Sequence, residues 1–167
     1  MMKISSAVAA GLIVLVAQSA PAQPTSVGPP SVITPSQIKW GPATPSLPAG
    51  AQAAVLYGDP AKDGMFVLRL RFPAGYRIPP HTHPKPEMVT VISGAIQVGM
   101  GTKADRKSAR RLPPGSFFAF APGMAHYPHV SEATVVQLSS TGPWAITYAN
   151  QADDPRRNEK IAPCRTS

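Results

Sequence analysis

Residues 65–72, Met-Phe-Val-Leu-Arg-Leu-Arg-Phe, alternate between apolar and charged from Leu68 onward. Phe66, Leu68, Leu70 and Phe72 fall on one face, and Val67, Arg69 and Arg71 on the other. A period of two is that of a strand with one face in a core. Similar short segments occupy 53–57, 87–94, 95–100, 115–121, 125–130, 133–140 and 144–149. They are rich in β-branched and aromatic residues, and glycine or proline divides them, as in Gly58-Asp59-Pro60 and Pro73-Ala74-Gly75. No long segment carries a helical period. The pattern predicts an all-β sandwich or barrel, with 95–100 returning from the strand at 87–94.

The pattern fails upstream. Residues 23–50 are rich in proline, serine and threonine and predict an extended arm, with one short strand near Gln37 to Trp40 and Trp40 pinning the arm to the domain. Before it, Met1-Met2-Lys3, an apolar run from Ala7 to Ala17 and the exit Ala20-Pro21-Ala22 describe a secretory signal peptide. The run is short for a membrane span. The expected organisation is therefore a signal peptide at 1–22 cleaved after Ala22, the arm at 23–50, a β-barrel domain at 51–150 and a tail at 151–167, in a periplasmic or secreted protein without a stable membrane span after cleavage.

Composition narrows this. The 167 residues hold a single cysteine, Cys164, so no disulfide within the chain can staple the fold. The formal charge is +8, and its densest stretch is Lys-Ala-Asp-Arg-Lys-Ser-Ala-Arg-Arg at 103–111, read as a solvated hairpin tip. Nucleic acid is not an expected partner, because no aromatic platform alternates with these charges.

Four histidines are present, and two of them, His81 and His83, stand one residue apart in Ile-Pro-Pro-His-Thr-His-Pro-Lys-Pro-Glu, 78–87. Pro79, Pro80, Pro84 and Pro86 favour extended backbone there, which turns both imidazoles to one side. Glu87 follows at the start of the next strand, and His126 is the candidate third imidazole. Imidazoles with a carboxylate suit Fe, Mn, Cu, Ni, Co or Zn rather than Ca or Mg. His129, three residues past His126, points the other way on a strand, exposed or just behind the ligands. Tyr76 and Tyr127 read as packing, and Val89, Val91, Phe118 and Phe120 as core.

Gly75, His81, His83, Glu87 and Gly94 have the spacing of the first cupin motif, and Gly115, Gly123 and His126 resemble the second. Ala121 stands where that motif usually has proline, and Val130 where asparagine is common. The resemblance runs over 53–149 and is to small exported cupins, similar to the cupin domain of bacterial anti-sigma factors. It implies a single cupin jelly-roll β-barrel of six to eight strands holding one divalent transition metal on His81, His83, Glu87 and His126, with positions left open for water, O₂ or a chelating substrate.

Of the eight acidic residues only Glu87 falls inside a barrel strand. Chemistry that needs a second carboxylate in the cavity is therefore disfavoured. A metal-dependent oxygenase of a small chelating molecule is the expected function, of dioxygenase type, with Arg77 a candidate contact for an anionic substrate. A non-catalytic metal- or ligand-binding cupin is the alternative. A small-molecule ligand is the expected partner, and an open sheet edge or the arm also allows a homodimer.

Overall fold

A computed structural model of the chain describes residues 32–158. The predicted signal peptide and Cys164 lie outside the described residues.

The strands are β1 (Gly41–Pro42), β2 (Gln52–Tyr57), β3 (Gly64–Phe72), β4 (His81–Thr82), β5 (Glu87–Ser93), β6 (Ile96–Met100), β7 (Arg110–Leu112), β8 (Phe117–Phe120), β9 (His126–His129), β10 (Thr134–Gly142) and β11 (Thr147–Tyr148). They form two antiparallel sheets, ordered β1-β2-β3-β10-β5-β8 and β11-β4-β9-β6-β7. Apart from β1-β2-β3 and β6-β7, neighbours in each sheet are distant in sequence, and the chain passes repeatedly from one sheet to the other. That is the jelly-roll way of enclosing one core between two sheets.

The alternation at 65–72 sets the centre of the larger sheet. β3 runs against β10 from Thr134 opposite Phe72 to Gly142 opposite Gly64 without a break in register. Phe66, Leu68, Leu70 and Phe72 are buried, and Val136, Leu138, Val89 and Val91 meet them from β10 and β5. Each such side chain contributes about 1.5–3 kcal/mol by leaving water.

Two expectations are corrected. The segment at 95–100 does not return along 87–94. β5 pairs with β10 and β8, while β6 pairs with β9 and β7 in the other sheet. Gly94 turns the chain at φ +70, and a Cβ there would collide with the backbone of Ala133 and Thr134. The Thr134 hydroxyl, fully buried, donates to Ala95 O at 3.1 Å and fixes the departure. The expected strand at Gln37 to Trp40 is a 3-10 turn, Pro35–Gln37, closed by a reciprocal Thr34–Gln37 cap, and pairing starts at Gly41. Trp40 lies under the Arg71 guanidinium at 4.1 Å.

The arm then enters the core. Leu47 is 4% exposed. Two buried tyrosines hold the backbone on either side of it: Tyr148 donates to Ser46 O at 2.7 Å, and Tyr76 donates to Pro48 O. Tyr76 also stacks on Phe72 at 5.0 Å. Burial pushes the Tyr148 phenol up to about 12 and raises Tyr76 as well, so both are neutral donors. At the other end, Gln151–Asp153 and Pro155–Asn158 form short helical turns, and Arg156 donates to Ile146 O at 3.1 Å.

Candidate metal centre

The site is made where the two sheets face each other. β4 is extended, as its flanking prolines require, and its His81 pairs directly with His126 of β9. Glu87 opens β5 in the opposite sheet. Gly123 N–H donates to His83 O at 2.9 Å, so the turn before His126 is tied to the residue that carries the second imidazole. That turn closes with Ala121 in the usual proline position, through Met124 N–H to Ala121 O at 3.2 Å. Val130, in the usual asparagine position, is 3% exposed and exchanges backbone bonds with Gly75 and Tyr76. Both departures are absorbed by the backbone.

His81, His83, Glu87 and His126 are 2%, 4%, 7% and 2% exposed. Each imidazole is oriented by one backbone carbonyl. His81 Nδ1 meets Pro79 O at 2.8 Å, His83 Nδ1 meets Ala145 O at 2.8 Å, and His126 Nδ1 meets Met124 O at 3.1 Å. A carbonyl only accepts, so each Nδ1 carries the hydrogen and each Nε2 of a neutral ring is left with a bare lone pair. Burial favours the neutral form of two of the rings: it drives His81 down to about 3 and lowers His83.

One ring nitrogen from each histidine lies within 4.8 Å of the other two. The Glu87 carboxylate joins them, with Oε1 3.5 Å from His83 Nε2 and Oε2 3.1 Å from His126 Nε2. Neither contact is a hydrogen bond with these tautomers, and His83 Nε2 and Glu87 Oε2 are buried without a donor. Lone pairs from three imidazoles and a carboxylate thus converge with no proton between them. Buried acceptors left this way are costly. A divalent transition ion satisfies all of them, and this nitrogen-and-oxygen donor set suits one.

Aromatic rings wall the centre. Trp144 lies flat on His83, centroids 4.4 Å apart and planes 16° apart, and Phe120 leans on His126 at 4.5 Å. The adjoining cavity has a volume of about 30 Å³ and is bounded by Leu47, Val89, Phe118, Leu138 and Ile146 among others. That is room for one or two waters. Glu87 is the one acidic residue in its wall among the described residues.

The four candidate ligands read from the sequence lie together. Trp144 and the three orienting carbonyls were not foreseen. Trp144 lies far along the chain from His83, and a backbone carbonyl leaves no mark in a sequence. Val89 and Phe118 do line the cavity, as well as the core. His129 lies in the wall of a different cavity, beside Arg77. Arg77 is displaced from its expected place: Ile78 is buried behind the site, so Arg77 projects to the outer surface beside His129.

Known proteins bear on this geometry. The sequence matches the ChrR Cupin-like domain family over residues 29–145. Among curated relatives in Oryza sativa subsp. japonica, Germin-like protein 8-2 is 38% identical over 96 residues, covering 52% of this chain and 43% of the relative. Germin-like protein 8-5 is 34% identical over 95 residues, covering 52% and 42%. The match thus spans less than half of those relatives. In structure the fold resembles a protein assigned as an acetylacetone dioxygenase from Methylibium petroleiphilum PM1, with TM-score 0.60, 17% identity and 80% and 90% of the two chains covered. It also resembles the polyketide cyclase RemF from Streptomyces resistomycificus, with TM-score 0.59, 13% identity and 78% and 93% covered. At such identities the structural likeness concerns the fold alone. The family match spans most of the chain, agrees with the jelly roll and encloses the whole histidine cluster, and on these grounds the chain belongs to the ChrR cupin-like family of the cupin superfamily.

Proposed function

We propose that the protein is a metal-dependent oxygenase of a small chelating organic molecule, with one divalent transition metal held by His81, His83, His126 and Glu87. The convergence of three Nδ1-anchored imidazoles and a buried carboxylate on one point carries this reading. A bound ion of this kind would supply a Lewis-acid and redox centre. The chain's own residues do the rest. The three carbonyl partners fix ring tautomer and direction. Glu87 adds the one negative charge. Trp144, Phe118 and Leu138 surround the ligands with apolar surface. The acetylacetone dioxygenase resemblance in fold is compatible with this and does not name a substrate.

A second reading is favoured by two observations: the cavity is small, and no carboxylate beyond Glu87 lines it. A protein of that kind would hold the metal or a small ligand without turnover. Elemental analysis of the full chain, exported and purified without chelators, beside a His81→Ala/His126→Ala double variant, tests the site. Near-stoichiometric iron, manganese, copper or nickel in the parent alone, with O₂ uptake on a panel of catechols, flavonols and diketones, supports the oxygenase. Zinc with no O₂ uptake supports the binder. Equal metal in parent and variant would sink both.

We also propose export to the periplasm or medium, supported by the leader-like pattern at residues 1–22. N-terminal sequencing of the exported protein is expected to start at Gln23. Retention of Met1 would overturn this.

A further inference from the structure

On the outer face of the smaller sheet lies a second cavity, of about 370 Å³, that the metal centre does not use. Arg77, Arg106, Tyr127, His129, Pro79 and Asp153 line it. We infer that this pocket binds a small oxyanion, a phosphate, sulfate or carboxylate group, between the Arg77 and Arg106 guanidiniums and the His129 ring.

The cations are brought together by regular pairing and by a built loop. Arg77 forms a bridge to His129, and Ile78 N–H donates to Pro128 O at 3.0 Å, so Arg77 and His129 sit side by side. Arg106 belongs to the basic segment at 103–111, in the loop between β6 and β7. That loop is not a free tip. Tyr127 donates to Asp105 O at 2.9 Å, Ser108 donates to the same carbonyl at 3.0 Å and lies 3.1 Å from the Tyr127 hydroxyl, and Lys107 N–H donates to the Asp105 carboxylate at 2.9 Å. The Tyr127 ring itself rests on Gly99, where a Cβ would overlap it. The residues on both sides of Arg106 are therefore fixed.

The charge there is unbalanced. Elsewhere in the described residues Arg111 pairs with Glu132 at 3.2 Å and Arg156 with Asp154 at 2.7 Å. Arg77 and Arg106 have no such acid, and Asp153 shares the pocket wall without an ion pair to either. Burial first, then Arg106 and Arg77, holds the His129 ring below its ordinary value, so the positive field is felt at the ring. Two guanidiniums in a concave wall offer a set of N–H donors that matches the oxygens of one anion.

Calorimetric titration of the metal-loaded full chain with sulfate, inorganic phosphate and succinate tests this. An Arg77→Gln/Arg106→Gln variant is compared with Lys103→Gln/Lys107→Gln, which removes the same charge from the same region but not from the pocket wall. The expected result is a loss of about tenfold or more in anion affinity for the arginine pair and less than about twofold for the lysine pair. A response to sulfate and phosphate over succinate assigns a phosphate-like ligand, and the reverse assigns a carboxylate. Equal weakening in both variants, or no binding to the parent, overturns the site. Unchanged metal content in the arginine variant shows that its fold is intact and separates this result from the fate of the metal centre.

Discussion

At the scale of single residues, the centre depends on where hydrogens are not. With Nδ1 of each histidine spent on a carbonyl, Glu87 is the only ligand that brings negative charge. We expect Glu87→Gln to keep the fold and weaken metal binding by more than about 100-fold, since losing even an outer partner of a metal ligand costs about 10–100-fold. Competition against a chromophoric chelator measures it, and an unchanged affinity would place the carboxylate outside the coordination set. His129 supports a pH prediction. Its folded value lies below the ordinary imidazole range, and the facing charged groups are Arg77, Arg106 and Asp153. Lowering the pH through and below that range adds a positive charge beside the two guanidiniums, while sulfate keeps its charge. Sulfate affinity is expected to rise as pH falls from about 8 to 5.5 and to lose that rise in His129→Gln. At this scale the clustering of the four candidate ligands was legible because proline-enforced extension and motif spacing act on His81, His83, Glu87 and His126. Arg77 was not, because parity through Pro79 and Pro80 does not follow a regular strand.

At the scale of elements, β10 is the keystone of the larger sheet, paired on one side with β3 and on the other with β5. Leu138, 1% exposed, stands between Leu68 and Val89. Leu138→Ala is expected to cost about 2–5 kcal/mol, read from denaturant unfolding. Gly99→Ala, on β6, would force the Tyr127 ring aside, and an overpacked site of this kind costs about 1–3 kcal/mol. A loss confined to Leu138→Ala would show that Tyr127 can move freely. Period-two alternation made most long strands readable, because it reports which face is buried. It does not report which sheet a strand joins, so the passage of β6 away from β5 had to wait for the turn at Gly94. β7 was hidden for a related reason: Arg110 and Arg111 on an exposed edge strand look like a charged loop.

At the scale of the whole molecule, the formal charge of +8 favours acidic surfaces in general. Retention on an anionic resin should fall steadily with added salt, as diffuse charge is screened within about 8 Å at physiological ionic strength. A retention that survives high salt would point to a discrete contact instead. The arm has a second consequence. Leu47 is inserted beside the metal ligands, and the hydroxyls of Tyr76 and Tyr148 clasp the chain on both sides of it. We expect this clasped segment to slow the exchange of an ion held behind it. Stripping by a chelator should then be slow in the parent and much faster in a Tyr76→Phe/Tyr148→Phe variant of similar equilibrium affinity. A protein built this way would keep an ion sealed and be reluctant to trade it with whatever metals it meets.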